Sequence, residues 1–295
     1  MPTSPDFVVV DTLEDAIAGL ERYGDDAKVV AGATALTIML QQGLIAPRAL
    51  ISIGRIDGLR GIERTDDSLA IGALTTHREV ELSPIVRDAL PTLATTFGVV
   101  ANVRVRNAAT VGGVVAEADY ASDPPAMLVA LDAEVDVVGP NGDRSVPIRD
   151  FLLGFYETAL EPTEIVTKVR VPLLPAGSAS VYEKFTTRSS EDRPCVGVAA
   201  VVRLEPDGVT CAELRVAVGA AAEIPQRFDD VEVGVRGLAL DDEAAGAVAD
   251  QYAQQIDPLS DMRGSDWYRR EMVRVWVRRA ILRAAESARG GGLPA

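Results

Sequence analysis

The chain has 295 residues, 47% of them hydrophobic, and a formal net charge of -15. That length suits two domains with a sizeable core, and that composition excludes global disorder. An acidic surface repels polyanions, so nucleic acid and anionic membranes are excluded as expected partners. The opening "MPTSPDF" lacks the pattern of a secretory leader, and apolar runs such as "VGVAAVV" are only strand-length, so no membrane span and a cytoplasmic location are expected.

In chain order, "TLEDAIAGLERYG" predicts a helix, with Thr12 as cap, Leu13, Ala16, Ile17 and Leu20 on one stripe, and Gly24 as the stop. "KVVAG" reads as a short buried strand, "ATALTIMLQQGL" as a turn entering a helix, and "ALISI" as the next strand, a β-α-β-like opening. "LRGIERTDDSLAIGA" is a hairpin turning at Thr65-Asp66-Asp67, and a helical region follows from Glu79 to Phe97. After "RNAATVGGVVAEADYASDPP" comes the apolar helix-like run "AMLVALDA", then a second hairpin in "EVDVVGPNGDRSVPI". "EIVTKVRVPLLPAG" is a strand ending in a proline-glycine break, where a domain boundary is expected near residues 174–179.

Beyond it, "ASVYEKFTTR", "CVGVAAVVRLE" and "GVTCAELRVAVGA" read as three strands, followed by helices over Leu240–Gln255 and Trp267–Ala288. The many arginines of the last helix read as a solvated or partner-facing surface in so acidic a chain. The fold class is therefore α+β. Residues 1–176 form a first domain in two lobes, about 1–57 and 58–176. Residues 177–288 form a second domain, with a three-stranded antiparallel sheet and helices, and 289–295 a loose tail.

Chemistry-bearing side chains are few. Cys195, Cys211 and His77 are the only cysteines and histidine, too few to ligate an iron-sulfur cluster or a structural zinc alone. No metal ligand and no catalytic acid or base is assigned, and His77 reads as structural. Two small-residue stretches remain: "AGATAL", Ala31 to Leu36, directly after a strand, and "TVGGV", Thr110 to Val114. Successive N–H groups in such turns form anion-binding nests, and a following helix start adds its dipole. Two of them could grip a pyrophosphate, with hydroxyls from Thr34 and Thr110 and with Asp123 accepting from ribose or ribityl hydroxyls. By pattern alone an ordinary turn, and for Asp123 a helix start, is the simpler reading. Neither stretch matches a nicotinamide-type Rossmann fingerprint or a P-loop.

In this order and spacing the motifs resemble the medium, FAD-binding subunit of molybdenum hydroxylases, of the carbon monoxide, xanthine and nicotine dehydrogenase types. "TLEDAIAGLERYGDDAKVVAGATAL", "ALISIGRIDGLRGIE", "IGALTTHREVELSP", "VRNAATVGGVVAEADYASDPPAMLVALDAEV", "YEKFTTR" and "VGVAAVV" carry the likeness through nearly the whole chain. The resemblance implies a two-lobed FAD-binding domain of the PCMH type, with FAD held by Ala31, Gly32, Ala33, Thr34, Ala35 and Leu36, by Thr76, by Thr110, Val111, Gly112, Gly113 and Val114, and by Asp123 and Lys184. It also implies electron transfer: a small [2Fe-2S] subunit feeds FAD, a large molybdopterin subunit oxidises the substrate, and the whole is a dimer of heterotrimers. Ala33 stands where the family has glycine, at a cost of about 1 kcal/mol if that position needs φ > 0. Ala35 replaces a polar residue and Val114 an asparagine. These departures leave two alternatives open, an FAD-less structural subunit and a stand-alone flavin reductase or oxidase.

Overall fold

The computed structural model describes residues 4–290. The first lobe runs β1 (Asp6–Val9), α1 (Leu13–Tyr23), β2 (Ala27–Val30), α2 (Thr34–Gln41) and β3 (Ala49–Ser52). Its sheet is parallel, in the order β1-β3-β2. Thr12 caps α1 by accepting from the Asp15 N–H at 3.1 Å, and Gly24 ends it at φ 55. Ala16 and Leu20 are buried in one cluster with Ile51 of β3. Strand β1 was not anticipated, because Phe7 and Val9 stay exposed and leave no alternation to read.

The second lobe runs β4 (Ile62–Arg64), β5 (Ser68–Gly72), α3 (His77–Leu82), α4 (Pro84–Ala89), α5 (Pro91–Gly98), α6 (Val103–Arg106), α7 (Val111–Glu117), α8 (Asp123–Ala130), β6 (Glu134–Gly139), β7 (Gly142–Pro147), α9 (Ile148–Phe151), β8 (Leu152–Gly154), β9 (Glu157–Thr158) and β10 (Ile165–Pro172). Five strands form an antiparallel sheet in the order β4-β5-β10-β6-β7, so both expected hairpins sit at its edges. The expected single helical region is three short helices. Pro84 and Pro91 each start a new one, since proline lacks the N–H that would continue the ladder.

The C-terminal region runs β11 (Ser178–Phe185), β12 (Val196–Leu204), β13 (Cys211–Gly219), α10 (Asp229–Gly234), α11 (Asp242–Gln255) and α12 (Asp266–Ala288). Its sheet is antiparallel with β12 central. All eight residues of α8 are buried, and its core cluster includes Ala199 and Val201 of β12 and Ala217 of β13. A helix buried all round has no polar face, which explains its featureless apolar sequence. Gly219 permits the approach: a Cβ there would lie 2.9 Å from that of Ala126.

Of the arginines of α12, Arg278 and Arg279 are exposed, in keeping with the expected solvated face, while Arg269 is buried. Arg274 pairs with Asp250 at 2.7 Å, Arg278 with Asp242, and Arg283 with Glu183, so the chain's own carboxylates neutralise these three. Of the expected tail, residues 291–295 lie outside the described residues. Arg289 donates from Nε to the Gly208 carbonyl at 2.8 Å.

Candidate cofactor site

Ala31, Gly32 and Ala33 carry the chain from β2 into α2. Ala33 sits at φ 56, ψ 11, in the left-handed region. Gly32 admits no side chain, because a Cβ would lie 1.9 Å from the Ala108 carbonyl oxygen. The first small-residue stretch is thereby pressed against the backbone just ahead of the second. No side chain caps α2, and its first ladder bond runs from Thr37 N–H to Ala33 O at 3.0 Å. Among the described residues, the N–H groups of Gly32, Ala33, Thr34, Ala35 and Leu36 have no acceptor. All five residues are half-buried rather than enclosed. Five successive donors at the positive end of a helix are suited to an anion.

The second stretch behaves differently. It is the first turn of α7, with Thr110 as cap accepting from the Gly113 N–H at 3.1 Å. The N–H of Val111 donates to Thr75 O at 2.9 Å, that of Gly112 to Ala73 O at 2.8 Å, and that of Val114 to Thr110 O at 3.0 Å. The donors expected to form a second nest are therefore engaged inside the chain, and the Val111 and Val114 side chains are buried in the core. Gly112 serves close packing, since a Cβ there would lie 2.5 Å from that of Ala73. Thr76 faces Thr110 across an isolated antiparallel bridge, but its hydroxyl is committed to a capping box with Glu79.

Asp123 opens α8 and is 3% exposed. Its Oδ1 accepts from the Tyr182 hydroxyl at 2.9 Å and its Oδ2 from Lys184 Nζ at 3.0 Å. Lys184 also donates to the Val99 carbonyl at 2.8 Å, which leaves one N–H. Burial pushes the Asp123 carboxyl up to about 6, against the Lys184 ammonium and the Tyr182 hydroxyl. Tyr182 was missed in the sequence. It lies two residues from Lys184 on β11, hence on the same face of the strand, and that parity could have found it. Gly197 on β12 makes room for it, because a Cβ there would lie 2.3 Å from the Tyr182 hydroxyl. Also missed was the pair of Arg193 and the buried Asp119, 2.6 Å apart, four residues before Asp123.

His77 is buried edge-on to Phe97, with ring centroids 4.9 Å apart, and neither ring nitrogen has a hydrogen-bond partner among the described residues. Burial pushes its pKa down to about 4, and the Thr110 carbonyl opposes this without hydrogen-bond geometry. Cys195 and Cys211 are buried free thiols. Among the described residues no acidic, histidine and cysteine side chains cluster to hold a metal ion, and no helix is long and apolar enough to cross a membrane.

Residues 3–174 match the family of the FAD binding domain in molybdopterin dehydrogenase. The chain belongs to this family. Residues 180–284 match the CO dehydrogenase flavoprotein C-terminal domain. The 6-hydroxypseudooxynicotine dehydrogenase complex subunit alpha of Paenarthrobacter nicotinovorans is 33% identical over 98% of this chain and 97% of its own length. The carbon monoxide dehydrogenase medium chain of Hydrogenophaga pseudoflava is 34% identical over 95% of this chain and 97% of its own. A solved structure of carbon monoxide dehydrogenase from the same organism superposes with a TM-score of 0.93 at 36% identity, covering 98% of this chain and 99% of that one.

As a member of the molybdopterin dehydrogenase FAD-binding family, the chain is the FAD-binding medium subunit of an oxidoreductase of the molybdenum hydroxylase type. Its residues fit that cofactor. The unpartnered donors of Gly32 to Leu36 suit a pyrophosphate, and the Asp123–Lys184 pair supplies both an acceptor and a donor.

Proposed function

We propose that this subunit uses FAD to pass electrons from the [2Fe-2S] clusters of a small partner subunit to an external acceptor, in an assembly whose large molybdopterin subunit oxidises the substrate. The observation that carries the reading is the run of five free backbone donors at residues 32–36. A pyrophosphate bound there needs no basic side chain. The hydroxyls of Thr34 and Thr110 add donors, and Val111 to Val114 shape the wall from behind. Asp123 accepts from the cofactor's hydroxyls, while Lys184, fixed by Asp123 and the Val99 carbonyl, holds a positive charge in the same cleft. FAD, when bound, supplies the exchange between one- and two-electron steps that no side chain here performs. The names of the relatives, "medium chain" and "complex subunit alpha", support a role inside a larger assembly.

The test is co-expression with the two flanking genes. The expected product is an assembly holding flavin, iron and molybdenum, probed as pairs of this three-chain unit by its mass in solution. Substrate bleaches its flavin band, while the isolated chain is not reduced by that substrate. An assembly without flavin overturns the electron-transfer role in favour of a structural subunit. Full-rate substrate oxidation by the chain alone overturns the subunit reading.

A further inference from the structure

Three segments without regular structure meet beside the Asp123–Lys184 pair: the link between α7 and α8, the approach to β12, and the approach to α12. Tyr120 of the first donates its hydroxyl to Asp261 Oδ2 of the third at 2.9 Å, and Arg263 Nη2 donates to the same hydroxyl at 2.5 Å. Arg263 Nη2 also reaches Asp261 Oδ2 at 2.6 Å. The other carboxylate oxygen, Oδ1, accepts from Arg269 Nη2 at 2.5 Å. Arg269 has no exposed surface. Its Nη1 donates to the Cys195 carbonyl at 2.7 Å and to the Ala220 carbonyl, and the Ala220 N–H returns to the Tyr120 carbonyl at 3.0 Å. Tyr120 is thus held from both its side chain and its backbone, and Arg193 closes the same gap through Asp119.

We propose that Tyr120, Asp261, Arg263 and Arg269 are positioning residues, a latch that sets the segment carrying Asp119 and Asp123 against the Arg193–Cys195 segment and so fixes the walls of the flavin cleft. The proposal rests on the reading that FAD occupies this cleft. Two facts separate a latch from general scaffolding. The two domains are also joined by the apolar packing of α8 on β12 and β13 and by Arg215 and Arg227 on Asp132, contacts in which no latch side chain takes part. The three linked segments lie outside the main sheets and are held locally by single bonds such as Asp261 N–H to Gly264 O at 3.0 Å and Cys195 N–H to Phe185 O at 2.7 Å, so the latch supplies the ties from one segment to another. Arg269 makes the device all-or-none, since a fully buried guanidinium loses its charge partner if Asp261 moves away. Burial alone would raise the Asp261 carboxyl, but hydrogen bonds from Arg263, Arg269 and Tyr120 outweigh it and hold it well below the usual carboxylate range. The latch therefore stays charged in mild acid.

The experiment compares Tyr120→Phe with Tyr252→Phe, which removes a buried hydroxyl from the C-terminal core and serves as a stability control. Flavin dissociation rate, the fine structure of the flavin visible band and thermal stability are measured on the purified assembly. Tyr120→Phe is expected to speed flavin release about tenfold, the worth of one hydrogen bond to charged groups, and to blur the band. Tyr252→Phe is expected to lower the melting temperature with release unchanged. Parental release from Tyr120→Phe, or release that follows melting temperature equally in both variants, overturns the proposal. If Tyr120→Phe does not fold, Arg263→Gln is read by the same criteria. If even the parent holds no flavin, the cofactor reading fails by itself. Amide exchange over residues 119–123 and 193–195 then decides the latch: faster exchange in Tyr120→Phe supports it, and unchanged exchange overturns it.

Discussion

His77 should make this protein less stable in acid, against the opposite pull of Glu117 and Asp123, whose burial raises them to about 7 and about 6. His77 begins α3, and its N–H donates to Ala109 O at 2.9 Å, so its ring is packed directly behind the Thr110 turn. Burial holds its pKa near 4, against 6.5 for a free imidazole, and nearby Arg106 adds to the depression. The folded state thus refuses a proton that the unfolded chain accepts. The stabilising difference is fully present above about pH 6.5 and is lost as pH falls toward about 4. A gap of about 2.5 units at ~1.36 kcal/mol each amounts to about 3 kcal/mol. His77→Leu isolates this amount, because every other titrating group remains. Urea unfolding of parent and variant, followed from about pH 7 to about pH 4, should show the curves diverging by about 3 kcal/mol, with the parent losing stability relative to the variant as pH falls. Above pH 6.5 the variant should be the more stable by about 1–3 kcal/mol, since two unpaired ring nitrogens are gone. Parallel curves, or a variant less stable at neutral pH, would refute the reasoning and imply that the imidazole is solvated or hydrogen-bonded.

Gly32→Ala should cost at least about 1–3 kcal/mol, because its Cβ collides with the Ala108 carbonyl, and flavin should be lost from whatever folds; thermal melting with flavin analysis checks both. Asp123→Ala strands the Lys184 ammonium, whose side chain is 9% exposed, and should cost about 3–5 kcal/mol even without flavin. The pair Asp123→Leu with Lys184→Met should recover most of that loss in the flavin-free chain, and a double variant as unstable as the single one would contradict a buried ion pair. Ala33→Gly relieves a left-handed alanine worth about 1 kcal/mol and returns part of it to the unfolded chain, so melting should register a gain of about 0.5 kcal/mol.

The elements that the sequence by itself determined are those built from local chemistry. Thr12 and Gly24 bound α1 because capping acts within a few residues. The turns at Thr65–Asp67 and Pro140–Asp143 fold two hairpins for the same reason. The strand-length apolar runs of β12 and β13 needed only their neighbours. The motif order likewise sufficed to recognise the family and its cofactor. Tertiary structure decided what distant backbone does. Both small-residue stretches look alike in sequence, yet Ala73 and Thr75 take the donors of Val111 and Gly112, while no described residue takes those of Gly32 to Leu36. A hydrogen-bond partner 36 residues away, as Thr75 is from Val111, or 39, as Ala73 is from Gly112, has no local signature. The same holds for Tyr182 on Asp123 and for Arg269 on Cys195, where burial makes the partner obligatory and only the packed chain identifies it.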